Sequence, residues 1–204
     1  MFASRAMFLA LAGLSAAGVA SAGQFNRALN IGDDAPAWVQ LPGTDGQKHS
    51  LADLKDKDVV VMVFTCNSCE VAEAYEDRLI AFAKKHASTG SKVAVVAVNV
   101  NTIPADRLDK MKERAAEKGF PFPYLYDESQ KLGKLYGAMY TPEFFVLNKA
   151  RKIVYMGAMD DHSPPAEPQA RYLEHAVQAT LKGEKPPVAE TLARGCRVRY
   201  AKTR

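Results

Sequence analysis

The sequence predicts an α/β chain in which a mixed sheet is covered by helices on both faces, and three observations predict it. Two runs, Val59–Phe64 and Lys92–Asn99, are short, rich in β-branched residues and almost free of charge, the composition of strands buried on both faces. Between them, apolar residues recur at Val71, Tyr75, Leu79 and Phe82, which lie on one face of a helix. Beyond them the pattern runs β-α-β-α and then β-β-α, an order that mixes parallel and antiparallel pairing, with a right-handed first crossover.

Taken in order, residues 1–22 stand apart. Arg5 is their only charge, Met7 to Val19 is apolar, and Ala20-Ser21-Ala22 fits a small-x-small cleavage site, the features of a secretory signal peptide. The apolar stretch is short of the ~18 residues expected for a membrane span, and no cysteine follows the cleavage site to carry a lipid. The mature chain is therefore expected from Gly23, periplasmic or secreted, with no stable membrane insertion, in a compartment that permits disulfides. Residues 31–185 read as one domain and 186–204 as an irregular C-terminal tail.

Gly23–Asn30 reads as a flexible leader. Trp38–Leu41, Pro42-Gly43 and Asp45-Gly46 give an N-terminal β-hairpin, because Asp-Gly between extended segments is a strong turn signal. Ser50-Leu-Ala-Asp53 has the capping-box spacing of a short helical turn. The strand Val59–Phe64 leads into a helix ending near His86, acidic at its start (Glu70, Glu73, Glu76, Asp77) and basic at its end (Lys84, Lys85, His86). After the second buried strand, Pro104–Lys118 reads as a helix with proline in its first turn and Gly119 just past its end. Phe122–Tyr126 is extended, Ser129–Tyr136 a short helix, Glu143–Leu147 and Lys152–Tyr155 are strands, and Gln169–Lys182 is the last helix.

The chain has 204 residues, a formal charge of +4 and three cysteines, enough length for one real core and too few cysteines for a disulfide-stapled scaffold. Basic residues are dispersed except for Arg194–Arg199, too short a run for a nucleic-acid patch, so no nucleic-acid partner is expected.

Chemistry concentrates at Cys66-Asn-Ser-Cys69, between a buried strand and a helix start, where unpaired backbone N–H groups stabilise a thiolate. Cys66 is expected to be the attacking thiol, just before the helix, and Cys69 the resolving thiol one turn in. Glu70 and Glu73 oppose acidification, so Cys66 should be only moderately acidified. A zinc site would need two further ligands, and His49, His86, His162 and His175 form no matching pair, so neither metal nor cofactor is called for. Asp160-Asp161-His162 reads as a solvated turn. Cys196 is left over and is expected to be redox-auxiliary, modulating the dithiol without being essential: Arg194, Arg197 and Arg199 would favour its thiolate if it is exposed, whereas a docked tail would bury it as a small apolar residue.

Several motifs carry a resemblance. Gly32-Asp-x-Ala-Pro36, Leu41, Asp45-Gly46, Ser50-Leu51 and Val59–Phe64 followed by the dithiol resemble the thioredoxin superfamily, in its redoxin branch (alkyl hydroperoxide reductase/thiol-specific antioxidant-like). Cys66-Asn-x-Cys69 with Tyr75-Glu-Asp-Arg-Leu79, Pro121–Asp127, Thr141-Pro-Glu-Phe-Phe145, Asp160-Asp161 and Gly195-Cys196 is similar to a peroxiredoxin-like subgroup. The likeness covers roughly residues 31–200. It implies a thioredoxin-like three-layer fold with an N-terminal hairpin extension, and it places Pro142 where that superfamily carries a cis-proline beside the dithiol. Thr141 would then offer its backbone to an extended substrate segment, and Glu143 is a candidate proton relay. Thr65 stands where thioredoxins carry Trp. Ser68 and Glu70 stand where the subgroup often carries His and Pro, and Tyr140 where some relatives carry another Cys.

The reading is an enzyme, a thiol–disulfide oxidoreductase exchanging with protein thiols and disulfides. Two alternatives are a thiol peroxidase and a Cu(I) carrier, since one CxxC can hold Cu(I). Peroxidases of the redoxin branch surround their thiol with Pro-x-x-x-Thr-x-x-Cys. Counting back from Cys69 gives Met62 and Cys66, and from Cys66 gives Val59 and Val63, so neither frame fits.

Overall fold

The computed structural model describes residues 23–164 and 166–202; the expected signal peptide lies outside the described residues. The chain begins with a small antiparallel hairpin, β1 (Leu41–Pro42) and β2 (Lys48–His49), and the turn Leu51–Leu54, where the Asp53 carboxylate accepts the Ser50 N–H at 2.7 Å. The expected leader is tied down rather than loose: Leu29 is buried, and Asn26 donates from Nδ2 to the Tyr136 carbonyl at 2.8 Å.

The main sheet follows. β3 (Val59–Phe64) leads to α1 (Glu70–His86), β4 (Val93–Asn99), α2 (Leu108–Lys118), β5 (Tyr124–Tyr126), α3 (Lys131–Tyr136), β6 (Tyr140–Thr141), β7 (Glu143–Leu147), β8 (Ile153–Gly157) and α4 (Tyr172–Leu181). Its five strands run β5-β4-β3-β7-β8, with β3, β4 and β5 parallel and β7 and β8 antiparallel. Period-two alternation decides the layers. Val59, Val61 and Val63 face Tyr75, Leu79 and Phe82 of α1, Met111 of α2 and Leu173, Ala176 and Val177 of α4. Val60, Met62 and Phe64 face Trp38, Leu51, Leu132 and Tyr136 on the other side. Each such side chain, fully withdrawn from water, contributes about 1.5–3 kcal/mol before chain entropy is counted. The outer edges are covered by isolated bridges, Gly43 to Leu125 on β5, and Asp34 to Lys152 and Met156 to Glu190 beside β8.

Two departures from expectation matter to the site. The helix expected over Pro104–Lys118 is broken: Pro104–Asp106 is a 3-10 turn, Arg107 is extended (φ −74°, ψ 161°), and α2 begins at Leu108. The break turns Asp106 inward, where its carbonyl accepts from Asn99 Nδ2 at 2.8 Å. The tail, expected to be irregular, forms a short strand, β9 (Cys196–Arg197), antiparallel to β6 with Thr141 opposite Cys196.

Candidate functional site

The register of the central strands assembles the site. Phe64 of β3 pairs with Glu143 of β7, so the residues leaving β3, Thr65 and Cys66, lie beside those entering β7, Thr141 and Pro142. The Thr141–Pro142 bond is cis. Cys66 Sγ lies 3.5 Å from Thr141 Oγ1 and 3.8 Å from Ser68 Oγ. Cys69 Sγ donates to the Thr141 carbonyl at 3.0 Å and accepts the Ala72 N–H at 3.3 Å. Both cysteines are unbonded thiols in this structure.

Cys69 is thus the cap of α1 rather than a residue one turn inside it, and the first-turn N–H serves Cys69 instead of Cys66. This changes the electrostatics expected from the sequence. The two thiols titrate as a coupled pair, so the first proton leaves more readily and the second is held. Cys69 is drawn downward, chiefly by its contact with Cys66, with burial opposing and Cys196, Thr141 and the Ala72 N–H assisting. Cys66 is pushed upward, first by that same contact, then by burial, and further by the negative charge of Asp106.

Asp106 escaped the sequence reading. Fully buried, its carboxylate accepts from the N–H groups of Asn67 (2.8 Å) and Ser68 (3.0 Å), from Ser68 Oγ (2.6 Å) and from Asn101 Nδ2 (3.1 Å). It fixes the two residues between the cysteines. Tyr124 Oη adds a bond to Asn67 Oδ1 at 3.1 Å. A signal was present in the polar Asn99-Val-Asn101 closing an otherwise apolar strand, the kind of end where α/β proteins place function.

Glu143, the candidate proton relay, stands at the start of β7. Its buried carboxylate accepts the N–H groups of Met139 (2.8 Å) and Tyr140 (3.0 Å), clamping the loop that carries Thr141, and burial raises its pKa. The carboxylate beside Cys66 is Asp106. Asp160, read as part of a solvated turn, is buried and accepts from Tyr75 Oη (2.8 Å) and Arg78 Nη1 (2.7 Å), pinning the loop after β8 to α1. Cys196 is exposed, yet its thiol pKa is raised, by partial burial first and then by contact with Cys69, with the Val71 N–H opposing.

Residues 31–156 match the AhpC/TSA family model. The chain belongs to the AhpC/TSA family. A hypothetical protein from Sinorhizobium meliloti 1021, solved by crystallography, is 32% identical with a TM-score of 0.80 over 87% of this chain and 98% of that one. That coverage exceeds what the first 156 residues could supply, so the likeness continues past Met156. The thiol–disulfide oxidoreductase ResA of Bacillus thuringiensis (strain Al Hakam) is 30% identical over 129 residues, 62% of this chain and 68% of that protein. A thioredoxin candidate from Neisseria meningitidis, at 24% identity and a TM-score of 0.57 over 74% of this chain and 92% of that one, shares the fold alone. The fold of this family member is thioredoxin-like, a mixed sheet between helical layers.

Proposed function

We propose that this protein is an extracytoplasmic thiol–disulfide oxidoreductase that exchanges disulfides with protein partners through Cys66 and Cys69. The observation that carries the reading is the placement of two thiols at the end of β3, Cys66 against the Thr141 hydroxyl and Cys69 against the Thr141 carbonyl. Family membership and the likeness to ResA support it. The signal-like first 22 residues support the compartment. Among the described residues no helix is long and apolar enough to cross a membrane.

The geometry supports distinct roles for the two thiols. Cys69 is held between the Ala72 N–H and the Thr141 carbonyl, whereas Cys66 sits on the loop before the helix and is the thiol able to turn toward a partner. As Cys66 attacks a partner disulfide, its proton passes to the Cys69 thiolate beside it. A Cys66–partner bond forms, and the partner sulfur that leaves as thiolate takes up the proton from Cys69. Cys69, deprotonated again, then attacks Cys66 Sγ, so the Cys66–Cys69 disulfide forms and the second partner sulfur departs. The partner is reduced and the dithiol oxidised; the reverse sequence oxidises a partner.

Two variants test this. Cys66→Ser should abolish exchange with a protein disulfide substrate. Cys69→Ser should accumulate the mixed disulfide, seen as a reductant-sensitive adduct by mass spectrometry. Full turnover by Cys69→Ser would overturn the assigned roles.

A further inference from the structure

The dithiol has an access problem. Cys66 and Cys69 are 3% and 1% exposed, while Cys196 is exposed. The cover is the tail itself, and it is built in rather than draped. β9 pairs with β6, the Val198 N–H donates to the Met139 carbonyl at 3.0 Å, and the Arg199 N–H donates to Asn101 Oδ1 at 2.9 Å. Gln130 grips the chain beyond, donating to the Arg199 carbonyl at 3.0 Å and accepting the Ala201 N–H at 2.8 Å. Gly195 lies so close to the Thr141 carbonyl that an added Cβ would stand 2.0 Å from that oxygen. The same oxygen accepts the hydrogen bond from Cys69 Sγ. Thr141 therefore carries Cys69 on its carbonyl and Cys196 opposite it in the ladder, and β9 packs against α1.

We propose that Cys196 is a third redox-active thiol, which opens the buried Cys66–Cys69 disulfide from the Cys69 side and carries it to the surface as a Cys69–Cys196 disulfide. The inference rests on the dithiol reading above and goes beyond it. In the oxidised protein the Cys196 thiolate attacks Cys69 Sγ. The Cys69–Cys196 bond forms, the Cys66–Cys69 bond breaks, and Cys66 leaves as a thiolate that takes up the proton Cys196 gave up. No outside oxidant is consumed. A partner thiolate then attacks the exposed Cys196 sulfur and releases Cys69, and a second partner thiol displaces Cys196. The partner leaves oxidised, and the enzyme holds three thiols. This route runs with the tail in place, beside direct attack by Cys66 when a partner displaces the tail.

The test maps disulfides by alkylation and mass spectrometry after equilibration in glutathione buffers. In Cys66→Ser, Cys69 and Cys196 should both become unreactive in a monomer, joined within one chain. Two thiols that stay alkylatable, or that pair between chains, overturn the proposal. As a control on folding, the wild-type protein should contain a species in which Cys66 alone is alkylated; its absence at every buffer ratio also overturns it. Gly195→Val, which forces the tail off Thr141, should retain the Cys66–Cys69 disulfide and lose that species, and its persistence would count against the relay. A wild-type Cys66–Cys69 disulfide without any Cys69–Cys196 defeats the relay alone, whereas no Cys66–Cys69 disulfide at any ratio defeats the dithiol reading itself.

Discussion

Replacing Asp106 by Asn should make Cys66 a more acidic thiol. Ser68 Oγ lies 3.8 Å from Cys66 Sγ and 2.6 Å from Asp106 Oδ2, so the carboxylate acts on the thiol through a single intervening hydroxyl. At a separation of about 6 Å and an effective dielectric of ~20, like charges repel by roughly 3 kcal/mol, near two pKa units. The substitution removes that charge and little else. An Asn oxygen can still accept from the Asn67 and Ser68 N–H groups and its amide can donate to Ser68 Oγ, while the Asn101 contact is lost. A single unsatisfied buried group costs about 1–3 kcal/mol, so the chain should still fold. The assay is the pH dependence of Cys66 alkylation, with Cys69 and Cys196 replaced by Ser so that one thiol reports. The midpoint should fall by about one to two pH units in Asp106→Asn. A midpoint that stays put or rises would refute the assignment of Asp106 as the charge that holds Cys66 protonated.

Two further outcomes are expected. Reduced protein mixed with hydrogen peroxide in a stopped-flow instrument should react no faster than a free thiol at the same pH, because Val59, Met62 and Val63 occupy the frames where a peroxidase places its Pro and Thr; a rate far above that promotes the peroxidase reading. For Glu143, whose folded pKa burial raises, the linkage has a definite sign: its contribution to stability is full below the ordinary carboxylate pKa and is lost as pH rises through the raised value. The stability advantage of wild type over Glu143→Gln in urea should therefore be largest at the acid end of that window and shrink above it, and an advantage growing with pH would contradict burial as the cause.

The sheet was legible because its signals are local and redundant. Val59–Phe64 and Glu143–Leu147 were read to the residue, since an apolar run bounded by polar residues has few ways to be placed. The dithiol, Thr141 and Pro142 were legible as a motif, and the register of β3 on β7 brings them together. What escaped depends on tertiary contact. A propensity reading makes Pro104–Lys118 one helix, yet the buried bonds made by Asp106 outweigh the turn given up at Arg107. Cys69 looked like a residue inside the helix because apolar periodicity does not mark where the cap lies. The docking of Cys196 on Thr141 joins residues 55 positions apart through backbone pairing, which leaves almost no trace in composition beyond Gly195.

The bridges that cover both outer edges of the main sheet have a consequence for how other chains can be met. An open strand edge is a template on which any extended polypeptide can polymerise or dock. Here the leading loop and the tail occupy those positions, at Leu125 on one side and at Lys152 and Met156 on the other. Indiscriminate strand addition, the route to aggregates, is thereby blunted where it would be unproductive. The two-residue ladder at Thr141 is much shorter and easier to exchange than the sheet. Selectivity of docking is in this sense set by what the fold leaves weakly closed, and the weakly closed place adjoins the sulfur atoms.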